Sequence, residues 1–421
     1  MTRTVLRVLT RPTMLLAAAA VLALSSCASS DTAAPDASPG SSSASMSPSG
    51  SASDGSGRPS ASVSPSGDAA SSSPDVPEGL PGMPPVLDPA NVYAADGPNM
   101  LSPAVAHDLY RVYVPNTGSD SVTVIDPTTY RVIGTFAVGH QPQHVVPSHD
   151  LRTLWVNNDL GNSLTPIDPA TGRAGSPVPV ADPYNLYFTP DGRYAVVMAS
   201  KLHRLDFRDA HTMAMHRSVT VPCAGVNHAD WTTDGRHFLV SCEFSSELLW
   251  VDTAAEKVVQ VLHLPGGSMP QDVKLSPDGR TFYVADMMSN GVWIYSVTDQ
   301  GPKLERLLKT GLGAHGLYVS RDATRLFISN RGEGTISVLR FADNAIVATW
   351  KIRSGASPDM GNLSPDGTVL WLSGRYDSEV YAIDTTSGAV LATIKVGVQP
   401  HGLTVWPQPG RYSLGHTGIM R

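Results

Sequence analysis

The chain has 421 residues, 41% hydrophobic and 16% charged, with 37 Gly and 34 Pro. That is enough apolar material for a large core, while low charge with abundant Gly and Pro excludes a coiled coil, and the lack of a G-X-Y period excludes collagen. The net charge is −7; residues 1–26 carry three Arg and no acid, so the remainder stands at −10. Such a surface repels phosphate backbones and disfavours general nucleic-acid binding.

The N-terminus reads as an address. Arg3, Arg7 and Arg11 form a basic region, followed by the apolar run Met14 to Leu24, which is too short to span a bilayer. Leu24-Ser25-Ser26-Cys27 comes next and resembles a bacterial lipobox, in which the Cys is lipidated and becomes the new N-terminus. The alternative is an ordinary cleavage site with a coincidental Cys. The expectation is a signal peptide over 1–26, lipidation at Cys27, and a protein anchored on the extracytoplasmic side of the cell membrane. Residues 27–80 follow as a stalk: Ser fills 19 of the 53 positions from 28 to 80. With almost no large apolar residues it cannot offset its ordering entropy, and as a coil it would reach roughly 40 Å. Residues 81–110 form a lead-in with little regular structure.

From Arg111 the chain repeats. A short β run recurs as RVYVPN (111–116), TLWVNN (153–158), YAVVMA (194–199), HFLVSC (237–242), TFYVAD (281–286), RLFISN (325–330) and VLWLSG (369–374). Most copies follow a turn of the type SPDGR, whose Pro-Asp and Asp-Gly pairs suit tight hairpins. A second run follows each, such as SVTVID (121–126) and EVYAID (379–384), and then a third, such as VLATIKVG (390–397). The repeats start at Gln143, Tyr184, Asn227, Gln271, His315, Asp359 and His401, spaced 41 to 44 residues apart. Four strands in that period indicate propeller blades. The first repeat lacks an inner strand, and the last supplies only one (GLTVW, 402–406), so the C-terminal strand completes the first blade. The fold expected over 111–406 is therefore all-β, a seven-bladed β-propeller with four-stranded blades. The seven Trp all fall in strand runs and are read as blade-packing core.

Phrases such as SPDGRTFYVAD, SVTVIDPTTYRVIGTFAVGHQP and VGVQPHGLTVWP resemble the YVTN-repeat β-propeller family, including YncE-like proteins. The resemblance covers about 70% of the chain and implies the fold. Functions among similar propellers range from surface-layer proteins to lactonases and the d1-haem domain of nitrite reductase, so it does not imply one activity.

The residue that starts each repeat and its successor form seven doublets, and four of the chain's 13 His lie in these 14 positions. The candidate site is a ring of His144, His228, Asp272, His315, Asp359 and His401 at the channel mouth. Neutral imidazoles with carboxylates suit a first-row transition metal, and several His offer axial ligands to a non-covalent haem. The competing readings are a small-ligand site and plain hydrogen bonding between blades. Nearby loops add Asp120, Asp159, Glu243, Glu247, Asp286, Arg331, Glu333, Arg375 and Asp377. No HExxH, CxxCH, GxSxG or P-loop phrase occurs.

Pairing Thr232 with His237 across the TTDGR turn sets Cys242 opposite Asn227, with Cys223 a few residues away. A disulfide between Cys223 and Cys242 follows, or else a free Cys242 near His228. The tail, residues 407–421, is read first as a cap over one propeller face, and alternatively as the donor of His416 to the ring. The leading functional expectation is a membrane-anchored lipoprotein whose propeller binds a protein, glycan or small ligand on the His/Asp face, without catalysis. The alternative is a metal- or haem-dependent redox protein, or a lactonase-like hydrolase, using the same ring.

Overall fold

The structure is a computed structural model and describes residues 79–421. The signal peptide, Cys27 and nearly all of the stalk lie outside the described residues. Among the described residues, no helix is long and apolar enough to cross a membrane.

Seven sheets form the propeller. Six are four-stranded blades or close variants, each running antiparallel from an inner to an outer strand. The inner strands of blades two to seven are Pro142–Pro147, Asn185–Phe188, Val226–Trp231, Pro270–Leu275, Ala314–Val319 and Pro358–Leu363. Blade one takes its inner strand, Thr404–Trp406, from the C-terminal side, pairing Tyr113 with Thr404 and Arg111 with Trp406. This closes the ring and leaves no free inner edge there.

The turns between the first and second strands explain the repeated phrase. In blade five Ser276 Oγ donates to Asp278 and accepts from the N–H of Thr281, and Gly279 sits at φ 69°. The same place in blades two and six holds Leu151 and Ala323, forced to φ 64° and 54°, so the side-chain-braced turn sets the backbone even without Gly. Six of the seven Trp are buried between blades; Trp350, on an outer strand, is half-buried and packs on Phe327.

These turns mark the floor of the propeller, and the lead-in runs across it. Its N–H groups bond to the turns of three blades: Leu80 to Asp234, Val92 to Pro277 and Asn99 to Pro365. The tail does not lie over a face as a cap. It enters the channel and adds Ser413–Gly415 and Ile419–Met420 to the inner edge of blade three, making that sheet six-stranded. Leu414, His416, Ile419 and Met420 are buried, and Arg421 pairs with Asp230 at 2.7 Å.

Candidate metal centre

A β-bulge builds the site. In blade two Pro142 pairs with Asn158 but Val145 with Val156, so one extra residue is inserted at Gln143-His144. The same slip occurs at Asn227-His228, Gln271-Asp272, His315-Gly316 and Asp359-Met360. A bulge bends the strand and re-aims its side chains. Here the shift falls on the doublets that carry His144, His228, Asp272, His315 and Asp359. The bulge also moves Cys242 opposite Val226, one residue from the position expected beside Asn227. Cys223 and Cys242 form a disulfide.

Inner strands run from the mouth to the floor, so the doublets make two layers. The upper layer holds His315, Asp359 and His401; the lower holds His144, His228 and Asp272, joined by His416 from the tail. The five imidazoles form a closed ring. Neighbouring centroids are 4.6 Å apart for His144–His401, 4.2 Å for His144–His416, 4.6 Å for His228–His416, 6.5 Å for His228–His315 and 6.2 Å for His315–His401. Gly402 leaves the space that His144 fills, because a Cβ there would lie 1.9 Å from His144 Nδ1. Gly402→Ala is therefore expected to displace the His144 ring and to cost about 1–3 kcal/mol as overpacking. Thermal unfolding beside wild type checks this, and an unchanged melting temperature would contradict it.

The ring lies inside the channel, not on its rim. His144 and His228 are 0% exposed, His401 and His416 1%, and His315 3%. Burial is the first cause holding all five imidazoles neutral. It brings His144 down to about 3, with Arg375 adding to the effect, and puts the other four well below the usual histidine range. Asp272 is raised by burial to about 6, with Lys274 at 3.8 Å opposing.

Among the described residues, both nitrogens of His144, Nε2 of His228 and His416, and Nδ1 of His401 have no hydrogen-bond partner, while His315 Nδ1 makes no aligned hydrogen bond but stands 3.0 Å from Asp359 Oδ1. Asp359 Oδ2 is unpartnered as well. Partners that do exist fix the rings. His228 Nδ1 lies 3.2 Å from Asn185 Nδ2 and 3.3 Å from Tyr187 Oη. At the mouth Arg331 Nη1 donates to Asp359 Oδ1 at 3.0 Å and lies 3.2 Å from His315 Nε2, while Arg375 Nε stands 3.8 Å from Asp359 Oδ2.

Of the other loop residues, Arg331 and Arg375 reach the ring. Glu243 stops at the rim, accepting from Asn227 at 3.1 Å. The rest serve local contacts: Asp120 faces His140, Asp159 pairs with Lys201, Glu247 with His263, and Asp286 accepts from Trp293. Glu333 accepts from the Leu312 N–H, and Asp377 from Ser357. The blade-bonding reading applies to Asp272, whose Oδ2 accepts the Leu317 N–H of the next blade at 2.9 Å. Asp230 and Lys274 belong to no motif of the sequence. Asp230 and Lys274 stand two residues beyond His228 and Asp272, and polar residues at that spacing in a buried strand are their only signal.

A non-covalent haem does not fit this ring. Imidazoles whose centroids lie 4.2–6.5 Å apart leave no room between them for a porphyrin. Clustered, neutral, unpartnered imidazole nitrogens beside a carboxylate are suited to a late first-row transition metal.

The fold and its closure define a seven-bladed β-propeller of the repeat type. The chain belongs to the YncE-like β-propeller family, whose profile matches residues 83–409. No curated protein matches it. Among solved structures it is similar to the periplasmic gluconolactonase PpgL of Pseudomonas aeruginosa, at 21% identity and TM-score 0.60 over 71% of this chain and 99% of that one. Hydrazine synthase of Kuenenia stuttgartiensis is similar at 21% identity and TM-score 0.57, over 67% of this chain and 94% of the other. A functionally unknown protein from Desulfotomaculum acetoxidans aligns at 16% identity and TM-score 0.60, over 70% and 99%. At these identities the likeness is one of fold.

Proposed function

We propose that this propeller is an extracytoplasmic, lipid-anchored protein that binds transition-metal ions in its central channel. The observation that carries the metal reading is the set of buried, unpartnered donor atoms on the axis. A buried polar group without a partner is costly, and one lone-pair nitrogen from each neutral imidazole, with the Asp359 carboxylate, would find partners together on metal binding. The burial also favours an ion over larger ligands. A glycan or protein surface cannot touch side chains that are 0–3% exposed, nor can a sugar lactone reach them without displacing Arg331 and Arg375. An ion can. The anchor is supported by the basic and apolar segments that precede Cys27.

The full chain, made in a bacterial secretory host and purified from membranes without chelator, should carry stoichiometric copper, zinc or iron by elemental analysis. Protein that stays metal-free after incubation with Cu(II) and Zn(II) would sink the reading. Cys27→Ala should move the protein from the membrane to the soluble fraction; retention on the membrane would refute the anchor.

A further inference from the structure

We propose that the channel holds two metal ions, one in each layer, with His144 between them. This rests on the metal-binding reading above and adds the number of ions, their places and their ligands.

The donors fall into two groups. One donor atom from each of His315, Asp359 and His401 lies within 4.8 Å of the others, and the same holds for His228, Asp272 and His416. The groups match the two layers that the bulged doublets create. The atoms without a hydrogen bond divide the same way: His401 Nδ1, Asp359 Oδ2 and His315 Nδ1, which faces Asp359 Oδ1 at 3.0 Å, lie above, and His228 Nε2 and His416 Nε2 below. One ion satisfies one group and leaves the other bare, because metal–ligand bonds of about 2.0–2.2 Å do not reach both.

His144 belongs to both groups. Its ring lies 4.6 Å from His401 and 4.2 Å from His416, and both of its nitrogens are unpartnered. An imidazole offers one nitrogen on each side, so His144 can complete either ligand set.

The two places differ in electrostatics. Asp272, in the lower layer, has each oxygen occupied by a backbone N–H, from Val273 and Leu317. The lower ion therefore relies mainly on imidazoles, one of them delivered by the tail. In the upper layer Arg331 and Arg375 already neutralise Asp359. An ion there must compete with two cations, against Lys274 alone at 3.8 Å from Asp272 below, so the lower place fills first and the upper one binds more weakly.

The test is a Cu(II) titration of the chelator-stripped full chain, read as bound copper after gel filtration and by electron paramagnetic resonance. Wild type should bind two equivalents above the background of the His315→Gln/His416→Gln double variant, which corrects for surface histidines. The loaded spectrum should show coupling between neighbouring copper ions. His416→Gln and His315→Gln should each retain one equivalent with an uncoupled spectrum, His315→Gln keeping the tighter one. One equivalent in wild type, lost in both single variants, would overturn the two-ion proposal and leave the metal reading intact. No copper above background would overturn both. If a variant fails to fold, the loaded wild-type spectrum still decides: coupled copper ions support two neighbouring places, and uncoupled copper alone overturns them.

Discussion

Deleting residues 411–421 is expected to lower the stability of the protein by about 3 kcal/mol and to remove the lower metal place. The segment's own burial is not the main reason. Leu414, Ile419 and Met420 are buried, worth about 1.5–3 kcal/mol each. Ordering the eleven residues costs conformational entropy that works against that gain. The damage lies in what stays behind. Asp230 is fully buried and pairs with Arg421 at 2.7 Å, beneath the Tyr93 ring that Arg421 faces at 4.7 Å. Removing one partner of a buried pair costs about 3–5 kcal/mol. The low end applies because Asp230 keeps the N–H groups of Trp231 and Leu275. Arg421→Met should therefore reproduce most of the loss while leaving His416 in place. Urea unfolding of the two variants beside wild type checks both statements. A truncated chain with the wild-type midpoint would mean that the tail is a dispensable cap.

The fold was legible because it is written seven times. The spacing of 41–44 residues, the braced SPDGR turns and the missing first inner strand each constrain the same ring, and the structure places the strands within two residues of the recurring phrases. The family profile and the closed sheet order agree with that reading. The site was less legible. The doublets could be read off the sequence, but the bulge at five of them depends on pairing with the second strand. Strict alternation would have sent either His144 or Gln143 into the blade.

The tail was harder still. PQPGRYSLGHTGIM has no repeat partner, and nothing local distinguishes a cap from an inserted hairpin. Its path is set by tertiary contacts: Gly415 pairs with Tyr187, and Ser413 bonds to His149 and Pro147. At Gly415 the backbone takes φ 119°, and a Cβ would sit 2.6 Å from Leu186 O. A glycine there is what lets the tail pass so close to the blade. Arg421 is equally silent in sequence, since its partner Asp230 lies 191 residues away.

Acid should unfold the metal-free protein steeply, beginning just below pH 6.5. His144 is lowered to about 3, and His228, His315, His401 and His416 stand well below the usual value, all chiefly through burial. In the unfolded chain the same groups titrate near 6.5. Below that pH the unfolded state binds protons that the folded state refuses, so stability falls as pH falls, by ~1.4 kcal/mol per pH unit for each histidine. Five histidines give an initial slope of up to ~7 kcal/mol per pH unit. Buried acids oppose it from lower pH, among them Glu243, which burial raises. Asp96, Asp159 and Asp272 are each raised to about 6 by desolvation. Between about pH 6 and 4 they hold protons that their unfolded forms release, which cancels at least three of the five and leaves at most roughly 3 kcal/mol per pH unit. Against a typical total of about 5–15 kcal/mol, that slope consumes most of the stability before pH 4. Urea midpoints of the chelator-treated protein should be flat from pH 8 to 7 and fall sharply from 6.5 to 5. A midpoint unchanged between pH 7 and 5 would mean that the channel imidazoles accept protons in the folded state. His416→Gln tells this effect apart from general acid sensitivity: removing one neutral imidazole should make the slope shallower by one proton's worth, ~1.4 kcal/mol per pH unit, whatever the variant does to stability at pH 8.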